Sequence, residues 1–444
     1  MTYSCSLETH ECFSVEEQIA QKDVEKWLMN ILVIGNGFDL AHGLPTKYGD
    51  FLEFCERAKR IYTFQKDVSL SDYKSKNIDN WKTNDYIKTA LLEAFEKRNC
   101  NTNSVRVSNK ALEELYTYIR QNAWLEYFLK CRSFVGENWI DFESEISRVV
   151  QSLDELRTIV VNEKSLQDIS KDKQEILMNM LNVSNGSLQK NYANITAIDS
   201  FVRFLNIELE RLIRALEIYI AEFISKISIL QRNSDIGGLT VGHVLSFNYS
   251  DTYQRLYGTD EKIRYDYIHG RADINNTLKS NNMVLGIDEY LIKKRRNRET
   301  EFIAFKKYYQ RIYKGTGCEY KNWIYKIKES GKSIEEKLRA EYSVQIPFLK
   351  FTNNMRHNLY IFGHSLDVTD KDILKDLILQ DNVYTTIYYH KIYDDTGKDD
   401  NGRADLGSKI ANLVKVIGQD ELIRRTGGST KTIEFKLQQD MVEI

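Results

Sequence analysis

Two prolines in 444 residues leave this chain almost without helix breakers, so long helices can run wherever the apolar pattern asks for them. Cysteine is nearly as scarce. The six residues, at positions 5, 12, 55, 100, 131 and 318, form no C-x-x-C pair. That removes the zinc-ribbon and thioredoxin-like readings and fits a reducing cytosol better than a disulfide scaffold. No apolar run approaches the roughly 18 residues of a membrane span, and no charged segment leads an apolar core at the N-terminus. The expected location is therefore the cytoplasm, with no membrane partner. Excess charge is also lacking: a formal net charge of -2 argues against bulk affinity for nucleic acid while leaving room for a local basic patch. What is present is ordinary globular material, 42% hydrophobic and 28% charged, enough for one large domain or two to three smaller ones.

The organising stretch is Asn30 to Gly49, NILVIGNGFDLAHGLPTKYG. Ile31, Leu32, Val33 and Ile34 have the branching and length of a strand buried on both faces. Gly35 and Gly37 follow directly, and a G-x-G turn after a strand lets a ligand approach the backbone while the N–H groups of a following helix attract an anion. A phosphate on that turn is one reading and a plain tight turn is the other, because the third glycine of a dinucleotide fingerprint is missing. Tyr48, Phe51, Leu52, Phe54 and Cys55 recur at helical spacing, which predicts a helix leaving the turn and packing on the sheet.

Residues 64–84 are polar and read as a loop or a frayed excursion. From about 85 to 235 the pattern changes to long amphipathic segments, such as those beginning at Ala111 and Ala197, the mark of a helical insertion. Strand-like runs return at His243-VLSF, Tyr267-IH, Met283-VLG, Asn358-LYIFG and Thr385-TIYYH, with a last one at Lys431-TIEFKL. Residues 402–426 read as one helix with Leu406, Ile410, Leu413 and Ile417 on its apolar face. The expected class is α/β, a Rossmann-like parallel sheet with a large all-helical insertion and a second, smaller helical one. Its parts are an N-terminal arm and short helix (1–27), a core from 28–60, 236–290 and 346–444, the helical insertion 61–235, and a basic helical insertion 291–345.

Polar groups stand where the strands end: Gly35-Asn-Gly-Phe-Asp with Gly43-Leu-Pro, Ser246-Phe-Asn-Tyr-Ser-Asp, Ile268-His-Gly, and Phe362-Gly-His-Ser-Leu-Asp-Val-Thr-Asp. The run ILVIGNGFDLAHGLPTKYGDF resembles the signature of the AbiH family, bacterial phage-resistance factors of the abortive-infection kind. SFNYSDTYQRLYG, IHG and IFGHSLDVTDKDIL are similar to the later blocks of the same family. More distantly, the four blocks resemble the sirtuin-like NAD-consuming domains of bacterial defence systems. By motif, the turn is Gly35-Asn36-Gly37, the second element Gly43-Leu44-Pro45, the asparagine Asn248, the histidine His269 and the late loop Gly363-His364-Ser365.

That resemblance implies binding of NAD, or a related adenine nucleotide, across the strand ends, and cleavage of the bond between nicotinamide and ribose. His269 and Asn248 would be catalytic. Gly35, Asn36, Gly37, Phe38, Asp39, Pro45, Asp251, Gly363, His364 and Ser365 would hold the cofactor. Phe38 departs from the small residue usual in the turn, and its bulk either closes the pyrophosphate site or packs beneath it. The cysteine pairs of the sirtuin zinc module are missing, so deacylation fits less well than simple NAD cleavage. On this reading the insertions hold the enzyme inactive, sense a phage-derived trigger or build a homo-oligomer.

Blander readings accompany each residue. Taken singly, His269 reads as a structural histidine, Asn248 as a turn residue and Asp39 as a helix cap. Asp141 and Glu145, four apart, read as solvated helix acids. Asp367, Asp370 and Asp372 read as helix openers, and no metal is expected. The basic stretch 293–311 interleaves charge with aromatics as a nucleic-acid surface does, and reads equally as a helix face matched to acids of the first insertion. A catalytically silent nucleotide-binding sensor and a nucleic-acid-directed effector are the rival functions.

Overall fold

The computed structural model describes residues 28–63, 68–99, 110–135, 141–163, 168–183, 195–258, 260–330, 356–393 and 397–444. The expected arm, 1–27, and the end of the basic insertion, 331–345, lie outside them.

The apolar runs become strands in the order their branching suggests: β1 (Asn30–Ile34), β2 (Gln231–Asn233), β3 (His243–Ser246), β4 (Arg264–Tyr267), β5 (His357–Phe362), β6 (Val383–Tyr389), β7 (Ile433–Leu437) and β8 (Met441–Glu443). Six of these form one sheet in the order β4-β3-β1-β5-β6-β7, every neighbouring pair parallel. This is the Rossmann-like α/β class. β1 is central and buried, which is why it is a continuous aliphatic run and not an alternating one. The strand order reverses between β1 and β5, and ligands of open parallel sheets lie outside the carboxyl ends at such a point. β2 and β8 pair antiparallel as a separate two-stranded sheet that the apolar pattern does not announce.

Helices α1 (Asn36–Ala41) and α2 (Tyr48–Thr63) follow β1. The first insertion supplies α3 (Leu70–Asn77), α4 (Asp85–Asn99), α5 (Lys110–Ile119), α6 (Ala123–Val135), α7 (Phe142–Val161), α8 (Lys171–Val183) and α9 (Ile195–Ile218), which runs on into a π-helical turn at Tyr219–Phe223. Then come α10 (Ser234–Gly237), α11 (Thr252–Leu256), α12 (Lys293–Arg296), α13 (Lys307–Lys314), a helix α14 through 320–330, α15 (Lys371–Ile378), α16 (Arg403–Ile417) and α17 (Gln419–Thr426).

Several expectations change. Residues 70–77 are helical, not loop: Ser69 caps α3 by accepting the Asp72 N–H, and Tyr73 is buried with its ring 4.1 Å from that of Phe95. The helix α2 is where its spacing predicts, but it packs on the insertion instead of the sheet, with Phe51 and Phe54 against Tyr219. The single helix expected over 402–426 divides at Gly418, whose φ of 92° no other residue adopts cheaply. Its buried face carries Lys409, Leu413, Val416 and Ile417, and Ile410 is exposed. Met283-Val-Leu-Gly is not a strand of the sheet; Val284 donates its N–H to the His269 carbonyl at 2.8 Å and Ile287 bridges to Lys306, so the segment threads between β4 and α13. Its apolar residues Met283, Leu285 and Ile287 face the helical core.

Candidate functional site

Parallel register aligns the carboxyl ends: Ile34 lies opposite both Ser246 and Phe362, and Ser246 lies opposite Tyr267. Two residues beyond each of these stand Asn36, Asn248, His364 and His269. The sheet thus delivers the four expected polar residues to one edge.

At the glycine turn the backbone hydrogen bonds favour the plain tight turn. Gly35 donates its N–H to the Phe362 carbonyl at 3.3 Å, Gly37 donates to the Gly363 carbonyl at 2.8 Å, and Phe38 donates back to Gly35 at 2.8 Å. A Cβ on Gly37 would stand 2.7 Å from the Gly363 oxygen, and one on Gly35 would stand 2.8 Å from the His364 Cα. These glycines let two backbone turns touch, and three N–H groups of the turn, those of Gly35, Gly37 and Phe38, are already committed. Phe38 packs beneath, fully buried against His42, Tyr253 and Phe362. Asn36 exchanges hydrogen bonds with Thr46, and Pro45 accepts the Tyr219 hydroxyl at 2.8 Å, so both hold the loop that follows.

Asn248 donates its Nδ2 to the Gly35 carbonyl at 3.0 Å, tying β3 to the turn, while its buried Oδ1 has no partner. Asp39 does not cap a helix. It is buried inside α1 and accepts from Ser250 Oγ at 2.5 Å, with its other oxygen unpartnered, and burial pushes its pKa up to about 6. Asp251 instead forms an ion pair with Arg271 at 3.0 Å, and Ser365 is exposed, its carbonyl holding Asn412.

His269 is 6% exposed, its ring edge-on to Phe247. Its Nε2 lies 3.6 Å from Asp370 Oδ1, and its buried Nδ1 has no partner. Burial lowers its pKa to about 4, against the pull of Asp370, so the ring is neutral at pH 7. With Nε2 facing a carboxylate, the proton belongs there and the Nδ1 lone pair is free. His364 approaches Asp370 from the other side, Nε2 to Oδ2 at 3.5 Å. Its Nδ1 accepts the Leu366 N–H at 2.9 Å, which fixes the tautomer and aims the Nε2–H at the carboxylate. Phe247 lies between the two imidazoles, with ring centroids 5.6 and 4.4 Å away.

Three further residues belong to this cluster that the sequence does not single out for it. Asp370, which reads as a helix opener, turns inward; Asp367 is the cap, accepting the Thr369 N–H at 3.0 Å. Lys307, 3% exposed and delivered by α13, lies 3.8 Å from Asp370 Oδ1 and 2.6 Å from Glu143 Oε2 of α7. Burial works against the Asp370 charge, and Lys307 with the two histidines overcomes it, holding the carboxyl well below its usual range. Burial likewise opposes the Lys307 charge, and Glu143 and Asp370 win, pushing its pKa up. Burial raises Glu143 to about 7. Asp141 is the α7 cap, and Glu145 pairs with Arg148, neither of them in the cluster. No local pattern marks Lys307, since it lies on the buried face of a short helix with Gln310 for company. Among the described residues no group of three or more His, Cys, Asp or Glu side chains is arranged to hold a metal. The cation beside Asp370 is an ammonium.

Part of the rest of the basic stretch is also paired, Lys306 with Glu289 at 2.9 Å and Arg295 with Asp154 at 2.9 Å and Glu299 at 2.6 Å, as is Lys314 beyond it with Glu210 at 2.8 Å, while Lys294, Arg296 and Arg298 are exposed. Among the described residues no helix is long and apolar enough to cross a membrane.

The family model described as bacteriophage abortive infection AbiH matches residues 31–390, a span that runs from the second residue of β1 through β6 and includes every residue of the cluster. No curated protein and no solved structure matches the chain.

Proposed function

Because the chain belongs to the AbiH family of bacteriophage abortive-infection proteins, we propose that it aborts phage infection through chemistry at the carboxyl-edge cluster, by hydrolysing NAD at the nicotinamide–ribose bond. The observation that carries this reading is the unpartnered Nδ1 of His269, a neutral imidazole nitrogen backed by the ionised Asp370. In the proposed step a water oxygen bonds to the ribose C1′ as the C1′–nitrogen bond breaks. The bonding pair leaves with nicotinamide, which departs neutral, and the water proton passes to His269 Nδ1. Asp370 then stabilises the imidazolium. The unpartnered Asn248 Oδ1 accepts from a ribose hydroxyl and holds the sugar in line. General-base help of this kind is typically about 10²- to 10⁴-fold, roughly 3–5 kcal/mol of barrier. Nothing at the Gly35–Gly37 turn supports a pyrophosphate, so the phosphates of the ligand are not assigned there.

The experiment is to follow nicotinamide release from NAD by the purified protein, with and without lysate from phage-infected cells, for wild type and His269→Ala. Release by wild type and its loss in the variant are expected. Equal release from both overturns the catalytic assignment. A second reading, a nucleotide-binding sensor without turnover, is favoured by the burial of His269; binding of NAD without nicotinamide release, and toxicity that survives His269→Ala, would establish it instead.

A further inference from the structure

The cluster draws on three separate parts of the chain: Asp370, His269 and His364 from strand ends of the sheet, Glu143 from α7 of the first insertion, and Lys307 from α13 of the second. Resting on the reading of His269 and Asp370 as the working pair, we propose that Lys307 is a positioning residue for that pair, clamped in place by Glu143, so that the site is complete only while both helical insertions are seated against the sheet.

A buried carboxylate is costly unless a cation and hydrogen bonds compensate it. Asp370 has two imidazole N–H groups facing it and one ammonium, Lys307 Nζ, at 3.8 Å. The His364 Nδ1 accepts the Leu366 N–H, so that ring meets the carboxylate through Nε2 alone. Remove the ammonium, and the carboxylate is relieved by a proton, either on Asp370 itself or on His269. Either outcome spoils the base: a protonated Asp370 no longer fixes the imidazole tautomer, and a protonated His269 has no lone pair to offer.

Lys307 is also held where it must be by contacts that have no part in its charge. Its N–H donates to the Ile287 carbonyl at 2.9 Å, and Gln310 both accepts the Leu285 N–H and donates to the Leu285 carbonyl, each at 3.0 Å. Lys314 donates to the Met283 carbonyl at 2.7 Å. α13 is thereby fastened to segment 283–287, and Val284 of that segment holds the His269 carbonyl at 2.8 Å. The second insertion thus reaches His269 twice, through the backbone of Val284 and through the Lys307–Asp370 contact. Glu143, 2.6 Å from Lys307, makes the first insertion a party to the same arrangement.

The test is histidine titration by NMR of the full chain labelled with ¹³C and ¹⁵N at histidine, with nicotinamide release read alongside. Lys307→Met removes the ammonium; Lys307→Gln keeps a donor of similar reach without the charge, so one of the pair remains informative should the other not fold. Lys307→Arg retains the charge. The His269 titration, near pH 4 in wild type, is expected to rise by about one pH unit or more in Lys307→Met and Lys307→Gln. It should stay close to wild type in Lys307→Arg, and in Glu143→Gln as well, because Glu143, raised to about 7 by burial, already carries its proton where His269 titrates. A rise when the ammonium is lost and none when Lys307→Arg keeps it is what an electrostatic positioning role requires and a packing role does not. An unmoved His269 titration in folded Lys307→Gln overturns the proposal. That readout is independent of NAD: a wild type that never releases nicotinamide sinks the hydrolase reading and leaves this measurement intact.

Discussion

Gly37 donates its N–H to the Gly363 carbonyl at 2.8 Å, and a methyl group in place of one Gly37 hydrogen would stand 2.7 Å from that same oxygen. Neither partner is a flexible side chain, so nothing nearby yields cheaply. Gly37→Ala is expected to cost at least the roughly 1–3 kcal/mol of an overpacked core. Gly363→Ala, at φ 66° and with its methyl 2.2 Å from the Phe38 nitrogen, adds about 1–2 kcal/mol of left-handed strain. Gly43→Ala, at φ 74° with open space around it, carries the strain alone. Urea denaturation of the three variants checks the ranking, and a Gly37→Ala as mild as Gly43→Ala would mean that the two turns are not in contact.

Asn248 has a structural bond through Nδ2 and an idle Oδ1, so the two halves of its amide separate by substitution. Asn248→Asp keeps an acceptor and loses the donor to Gly35, whereas Asn248→Ala loses both. Both variants should lose stability by about 0.5–1.5 kcal/mol for the lost hydrogen bond, since the Gly35 carbonyl keeps the Phe38 N–H. Only the alanine variant should also fall about tenfold or more in nicotinamide release measured below saturation. Equal activity losses in the two would assign Asn248 to the scaffold.

His357 accepts the Met29 N–H on Nδ1 at 2.9 Å, and its Nε2 faces Ser330 Oγ at 2.8 Å. Burial lowers its pKa to about 4. The folded state therefore binds fewer protons than the unfolded state between about pH 4 and 6.5, and the stability this histidine contributes is complete above 6.5 and lost as pH falls to 4. The slope is about 1.4 kcal/mol per pH unit, about 3 kcal/mol in all. His357→Gln lacks the titration. The stability gap between wild type and variant, read by urea denaturation at several pH values, should narrow across that window and not above it.

Asp39 titrates with the opposite sign. Its folded pKa, raised by burial to about 6, lies above the unfolded value, so its contribution is complete below pH 3.8 and is lost as pH rises to 6. At pH 7 the ionised carboxylate costs about 3 kcal/mol. Asp39→Asn keeps an oxygen for Ser250 and removes the charge. The variant should be the more stable protein at pH 7 and lose that advantage near pH 4.

The basic stretch 293–311 should give no nucleic-acid binding of the kind its composition suggests. Lys306, Lys307 and Arg295 are each committed to carboxylates. A mobility-shift titration is expected to show at most weak binding, without the slope of several released counterions against salt. A steep slope would show that the exposed Lys294, Arg296 and Arg298 meet phosphate, or that these pairs open to it.

How far the sequence could be read follows from the range of the interactions involved. The aliphatic run Ile31–Ile34 and the runs at 243, 358, 385 and 431 are local patterns, and each became a strand within a residue or two of its expected place. Met283-Val-Leu-Gly has the same composition and did not, because a strand needs an edge to pair with, and its backbone is taken up by His269 and Tyr249 at Val284 and by the Gln310 and Lys314 side chains at Leu285 and Met283. The helix α2 shows the same division: its apolar spacing fixed that it is a helix, and the arrival of Tyr219 fixed what it packs on.

By itself, then, the sequence determined the class of the fold and which polar residues follow the strand ends, since both depend on neighbours within a few positions along the chain. Asn248, His269 and His364 could be placed at one edge from pattern alone because parallel register carries equivalent positions to equivalent heights. Only the tertiary structure decided what the glycines of the turn are for and which ions surround the histidines. The charge of a buried group is set by whatever lies within a few ångströms, and for Asp370 that is Lys307, which lies 3.8 Å away through space and whose own partner Glu143 sits on a helix of the other insertion.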